Sequence, residues 1–156
     1  MHSICQTSDM DLQVELDTSL GYALKRTAAA LRSAMDAALR PLSLTVPQYA
    51  CLEVLGHSPG LSGAELARAT FVTRQSMHAL LKGLEDRGLL SRPASAPHGR
   101  ALPTELTAAG RDALESASAV VAAVERTMVA SLSPAALDRM RDDLAACAAA
   151  LEQSHG

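Results

Sequence analysis

The chain has 156 residues, 48% hydrophobic and 20% charged, a balance that suits one globular domain with a sizeable core. Aromatics make up 2%, Tyr22, Tyr49 and Phe71 with no Trp, which excludes an aromatic ligand cage and a base-stacking RNA surface. The net charge is −3, yet Leu61–Leu106 holds six basic and four acidic residues against eight and thirteen elsewhere, so a locally positive middle hints at a polyanion-facing module.

Residues 1–11 are polar and read as a loose tail. Leu12, Leu16, Leu20, Leu24, Ala28, Leu31, Met35 and Leu39 recur at three- and four-residue steps, predicting one long amphipathic helix that ends before Pro41. Thr45 is the expected cap of a second helix, with Pro47 in its first turn and Tyr49, Leu52 and Leu55 on one face. Gly56 to Gly60, with Pro59, ends it. Ser62 caps a short third helix, and Glu65 three residues on completes a capping box. After a three-residue link, Thr73 caps a fourth helix that runs to about Arg87, with Met77, Leu80, Leu81 and Leu84 inward and Gly88 as its stop. Leu89–Leu106 carries Pro93, Pro97, Gly99 and Pro103 without helical period and reads as a β-hairpin. Thr107 caps a long alanine-rich helix bearing Leu114, Val120, Val121, Val124 and Met128. Ser133 and Pro134 start a last helix with Leu137, Met140, Leu144, Cys147 and Leu151. The fold class is therefore mainly α with a small β-hairpin.

Two short capped helices joined by a three-residue turn make a helix-turn-helix pattern, and the hairpin that follows makes a wing. Ala67 lies where the two helices approach closely, and Val72 plugs the turn. The second helix opens Thr73-Arg74-Gln75-Ser76, the end from which such helices read base edges in the major groove. Arg74, Gln75, Ser76 and His78 are the candidate base and phosphate contacts, with Lys82 a phosphate contact one turn on. Ser62 and Thr73 cap helix starts that also suit phosphate. Arg100, near the hairpin tip, is placed to enter an adjacent minor groove. Each of these has a plainer reading as a solvated helix face or a loop charge.

The chain resembles the MarR family of bacterial transcription regulators. The resemblance is carried by Leu42-Ser-Leu-Thr-Val-Pro-Gln-Tyr49, Leu61-Ser-Gly-Ala-Glu-Leu-Ala67, Leu84-Glu-Asp-Arg-Gly-Leu-Leu90, Arg92-Pro93, Gly99-Arg100 and Leu106-Thr-Ala-Ala-Gly110. It implies a homodimer whose long N- and C-terminal helices (12–45 and 107–153) pair, while two winged helix-turn-helix lobes (46–106) bind one palindromic operator in double-stranded DNA. It also implies repression released by a small molecule, such as an aromatic acid, or by an oxidant. On that basis Tyr22, Arg26 and Tyr49 are candidate effector contacts, Arg26 pairing with a carboxylate; the alternative is core packing for the tyrosines and a surface charge for Arg26. The chain departs from the family where His98 replaces the usual Asp before the wing's Gly-Arg, and where Ala79 and Gly83 replace Arg on the reading helix. Gly21, before Tyr22-Ala23, stands where the peroxide-sensing branch has its reactive cysteine.

Other chemistries find little support. Cys5, Cys51 and Cys147 are odd in number and widely spaced, so they form neither a disulfide framework nor a CxxC metal site. Cys51 and Cys147 read as small buried hydrophobes, and Cys5, in the tail, is the one redox candidate. The five histidines show no metal-ligand spacing, and no cofactor is expected. No Gly-rich phosphate loop, His-Glu-x-x-His or Gly-x-Ser-x-Gly is present, so the chain does not read as an enzyme. No apolar run spans a membrane, and the acidic start is no secretory signal, which makes the bacterial cytoplasm the expected compartment. The competing reading is a winged-helix protein–protein module without DNA binding, favoured by the acidic total charge, Ala79 and Gly83.

Overall fold

A computed structural model of the protein describes residues 15–93 and 103–154. Among these, six helices and one two-stranded sheet follow in the order α1 (Leu20–Leu39), a 3-10 turn (Arg40–Leu42), α2 (Val46–His57), α3 (Gly63–Thr70), α4 (Arg74–Asp86), β1 (Leu90–Ser91), β2 (Glu105–Leu106), α5 (Ala108–Met128) and α6 (Pro134–Gln153). The tail with Cys5, and the hairpin tip with His98 and Arg100, lie outside the described residues.

Side-chain oxygens start every helix. Thr45, Ser62, Thr73, Thr107 and Ser133 each accept a hydrogen bond from the backbone N–H three residues on, as expected. The first helix differs from its expectation. Residues 15–18 are helical, but the chain is interrupted at Ser19, which adopts extended backbone and accepts from the Tyr22 N–H at 3.2 Å. The apolar period continues through this point, but a serine hydroxyl offers the backbone a competing partner, and here it wins.

The core lies where α2, α3, α4 and α5 meet. Leu39, Cys51, Leu52, Leu55, Leu66, Met77, Leu81, Leu84 and Ala117 are its fully buried members. α1 packs along α5, and α3 packs on α4. The two described ends of the expected hairpin pair with each other. Leu90 pairs with Leu106 and Ser91 with Glu105, antiparallel, and an isolated bridge from Leu61 to Thr104 adds a third short edge.

Two motifs hold α4 and the hairpin in place. At the end of α4, Gly88 takes φ +73°, and the N–H of Leu89 returns to the Leu84 carbonyl at 3.0 Å, the left-handed stop that glycine permits. The adjacent Arg87 donates from Nη1 to the Ser43 carbonyl at 2.7 Å, tying α4 to the corner after α1. At the start of α5, the Thr107 hydroxyl donates to the Gly88 carbonyl and accepts from the Gly110 N–H. Gly110 lies so close to Leu89 that a Cβ would strike its carbonyl oxygen. The Leu-Thr-x-x-Gly pattern is thus a seat for the chain leaving α4.

α6 stands apart. None of its residues is buried, and it packs on no other described element to any extent. Met140, Leu144 and Leu151 are exposed along it, as are Leu16, Leu20, Tyr22 and Leu24 at the other end of the chain. Cys147 is exposed rather than buried, because the helix that carries it packs little against the other described residues. Among the described residues, no helix is long and apolar enough to cross a membrane.

Candidate nucleic-acid interface

Helix α4 is the element on which most of the candidate residues converge. Its inward side is Met77, Leu81 and Leu84, all buried, with Leu80 partly so. Residues one or two positions away must point elsewhere, since each step turns the helix by about 100°. Arg74, His78 and Lys82 therefore form one stripe four residues apart, with Gln75 and Ala79 beside it. All five are exposed, as are Thr73 and Ser76. The structure brings Arg74, Gln75, His78 and Lys82 onto one outward edge, while Ser76, about 160° around the axis from Arg74, is exposed on the other flank beside the Thr73 cap.

The two ends of α4 differ electrostatically. Thr73 Oγ1 accepts from the Ser76 N–H at 3.1 Å and donates to Ser76 Oγ at 2.9 Å. No acid stands in the first turn, so the partial positive charge of the helix start is unopposed and Arg74 adds to it. At the other end Glu85 and Asp86 add negative charge. Asp86 lies 3.7 Å from Lys82, and Glu85 accepts from Arg92 Nη2 at 3.3 Å. The Lys82–Asp86 pair is mostly in solvent and holds Lys82 only weakly. A polyanion is thus drawn to the Thr73 end of the helix and not to the Asp86 end.

α3 starts differently. Ser62 Oγ accepts from the Glu65 N–H at 3.2 Å, and Glu65 Oε2 accepts from the Ser62 N–H at 2.8 Å. The backbone and hydroxyl of Ser62 hold the Glu65 carboxyl below its ordinary range. A carboxylate already occupies this helix start, so Ser62 is less open to a phosphate than Thr73 is.

The candidate effector residues are not gathered in one place. Tyr22 and Arg26 are exposed, one turn apart on α1. Tyr49 is buried on α2 and donates to Glu53 Oε1 at 3.3 Å. Burial raises its pKa, and a hydrogen bond with Ser118 opposes that rise. None of the three lines either of two open cavities. One, of about 500 Å³, lies between Pro59, Leu106 and the α5 residues Arg111 and Leu114. The other, of about 290 Å³, is apolar and lies between α1 and α5, at Leu31, Ala34, Val124 and Met128. Cavities of this kind assemble from side chains distant in sequence, so no local pattern announced them. Cys51 is fully buried and burial pushes its thiol up to about 12, the state of an inert core cysteine. Among the described residues, no three His, Cys, Asp or Glu side chains cluster to hold a metal.

Phe71 was not singled out by its sequence. It ends α3 in the left-handed region at φ 57° and is 98% exposed. The only local signal was a large apolar residue in a turn where glycine would suit the backbone.

The sequence pattern of the MarR family matches residues 42–101. The chain is 50% identical over 117 residues to the HTH-type transcriptional repressor Rv2887 of Mycobacterium tuberculosis, covering 75% of this chain and 84% of that protein. The crystal structure of the Mycobacterium tuberculosis MarR family protein Rv2887 with salicylic acid superposes with a TM-score of 0.68 at 45% identity, over 83% of this chain and 96% of that one. The transcriptional repressor CouR, bound to a 23-mer DNA duplex, superposes with a TM-score of 0.79 at 31% identity, over 94% of this chain and 99% of that one. Likeness of this extent, on the same succession of helices and hairpin, leaves one conclusion: the chain belongs to the MarR family of winged helix-turn-helix transcriptional regulators and not to a class of enzymes.

Proposed function

We propose that the protein is a homodimeric repressor that binds a palindromic operator in double-stranded DNA and lets go when a small aromatic acid binds. The observation that carries the reading is the outward edge of α4, where Arg74, Gln75, His78 and Lys82 stand exposed beside a buried Met77–Leu81–Leu84 face, with Ser76 exposed on the other flank. In this reading the Thr73 end enters the major groove. Arg74 and Gln75 take base edges, and His78, Lys82 and the Thr73 helix start take phosphates, while the Ser62 start, already capped by the Glu65 carboxylate, contributes at most its hydroxyl. Arg100 on the wing reaches the neighbouring minor groove. Two lobes related by a twofold axis then meet half-sites about 10 bp apart or a multiple of it. The duplex held by CouR supports the DNA, and the salicylic acid held by Rv2887 supports the effector class.

The test starts from duplexes selected from a random pool by the parent protein. Affinity is expected to fall steeply with added salt, as neutralised phosphates release counterions. Arg74→Ala and Gln75→Ala are each expected to cost about 1–3 kcal/mol on the selected operator, with salicylate weakening the parent complex. If both variants footprint the operator as the parent does, α4 is not the reading helix. If no duplex is retained at low salt, the lobe serves some other partner.

A further inference from the structure

Phe71 is the most exposed large apolar side chain described, at 98%. Its backbone lies at φ 57°, ψ 37°. That region crowds the Cβ of an L-residue against the following carbonyl oxygen and is unfavourable for phenylalanine. The backbone around it follows the pattern of a glycine-ended helix, with the Val72 N–H donating to the Ala67 carbonyl at 3.0 Å and the Phe71 N–H to the Arg68 carbonyl at 3.4 Å. Glycine would make the same turn at lower cost. The ring does not repay the cost within the chain, since it is in solvent. A strained residue that serves nothing in the free protein marks a role in a complex.

The place of the residue says which complex. Phe71 precedes by two residues the Thr73 cap of α4, so it sits within about 8 Å of backbone from the helix start. That start is the cationic end of the edge described above. We propose that Phe71 is a further specificity-determining residue, whose ring packs on an apolar surface of the duplex beside the reading helix: a thymine 5-methyl group or the deoxyribose edge. Apolar contact with thymine methyl is a recognised use of phenylalanine in the major groove, and a ring already held out in solvent needs no rearrangement to make it. The proposal rests on α4 as the DNA-reading helix.

Phe71→Gly tests it, because the substitution removes the ring and suits the backbone. The folded protein is expected to melt at the same temperature or a few degrees higher, while operator affinity falls roughly tenfold, as for the loss of one partly buried aromatic. Arg74→Ala is measured in parallel. If Phe71→Gly binds as the parent does while Arg74→Ala is weakened, the Phe71 assignment is wrong and the reading helix stands. If neither variant is weakened, the reading helix itself is wrong. A lower melting temperature would show that the ring serves the fold, and weaker self-association by sedimentation would seat it against a second copy; either result overturns the proposal. An operator with deoxyuridine in place of thymidine separates the two duplex surfaces. A tenfold loss for the parent, with no further loss for Phe71→Gly, assigns the methyl group; an unchanged parent with a weakened variant assigns the deoxyribose.

Discussion

Cys51 shows how far one residue's surroundings set its chemistry. It sits on α2 with Leu52 and Leu55, wholly removed from solvent. Burial disfavours the thiolate and moves the thiol from 9.0 to about 12. The pH dependence follows in sign. Below pH 9 the folded and unfolded chains both keep the proton, and Cys51 leaves stability unchanged. Between about 9 and 12 the unfolded chain releases it and the folded chain does not, so stability falls as pH rises through that window. Denaturant titrations from pH 8 to pH 11 are expected to show this alkaline loss in the parent and a shallower one in Cys51→Ala. Iodoacetamide at pH 8 is expected to leave Cys51 unmodified until denaturant is added, read by peptide mass spectrometry. Modification of Cys51 in the folded protein, without loss of secondary structure, would contradict the burial.

At the scale of elements, two glycines make opposite predictions. Gly110 seats the carbonyl of Leu89 against the first turn of α5. A methyl group there collides with backbone, which cannot swing aside as a side chain does. Gly110→Ala is expected to cost about 1–3 kcal/mol or more, lowering the melting temperature by several degrees. Gly83 lies inside α4 with nothing near the space a Cβ would take. Gly83→Ala is expected to stabilise by about 1 kcal/mol through helix propensity alone. Melting curves that moved both variants in the same direction would refute the packing described at Gly110. The contrast also marks what the sequence made legible. Five helix starts were readable because a capping oxygen and the N–H it accepts from are three residues apart. The outward edge of α4 was readable because its buried face repeats at helical spacing. The break at Ser19, the Arg87–Ser43 tie and the Leu61–Thr104 bridge were not. The first depends on a local competition that periodicity does not weigh. The others join residues forty or more positions apart, and only the folded chain brings them together.

At the scale of the molecule, the chain is incomplete on its own. A 20-residue helix such as α6, with no buried residue and only Ala136 and Leu137 partly covered, gains little from packing against the other described residues, and packing is what holds most helices in proteins. Its apolar residues Met140, Leu144 and Leu151 are exposed, as are Leu20, Tyr22 and Leu24 on α1 and Met128 at the end of α5. Exposed apolar surface spread over two ends of one chain is the mark of an unfilled interface. The open apolar cavity between α1 and α5, at Leu31, Ala34, Val124 and Met128, belongs to the same side of the argument. The dimer we propose fills this surface with the same helices of a second copy, and it also explains operator affinity. Two joined lobes make the second half-site contact intramolecular, so dimerisation multiplies affinity without a new contact to DNA. The double variant Met140→Glu and Leu144→Glu places two charges on the α6 face and leaves the buried lobe core untouched. It is expected to sediment as a monomer, to lose far-UV helical signal, and to bind a full operator no better than a half-site. The parent is expected to sediment as a dimer and to favour the full operator by roughly 10²-fold or more. A parent that sediments as a monomer at micromolar concentration, or a double variant that keeps both the dimer and the operator preference, would remove α6 from the interface and leave the exposed apolar faces without a partner.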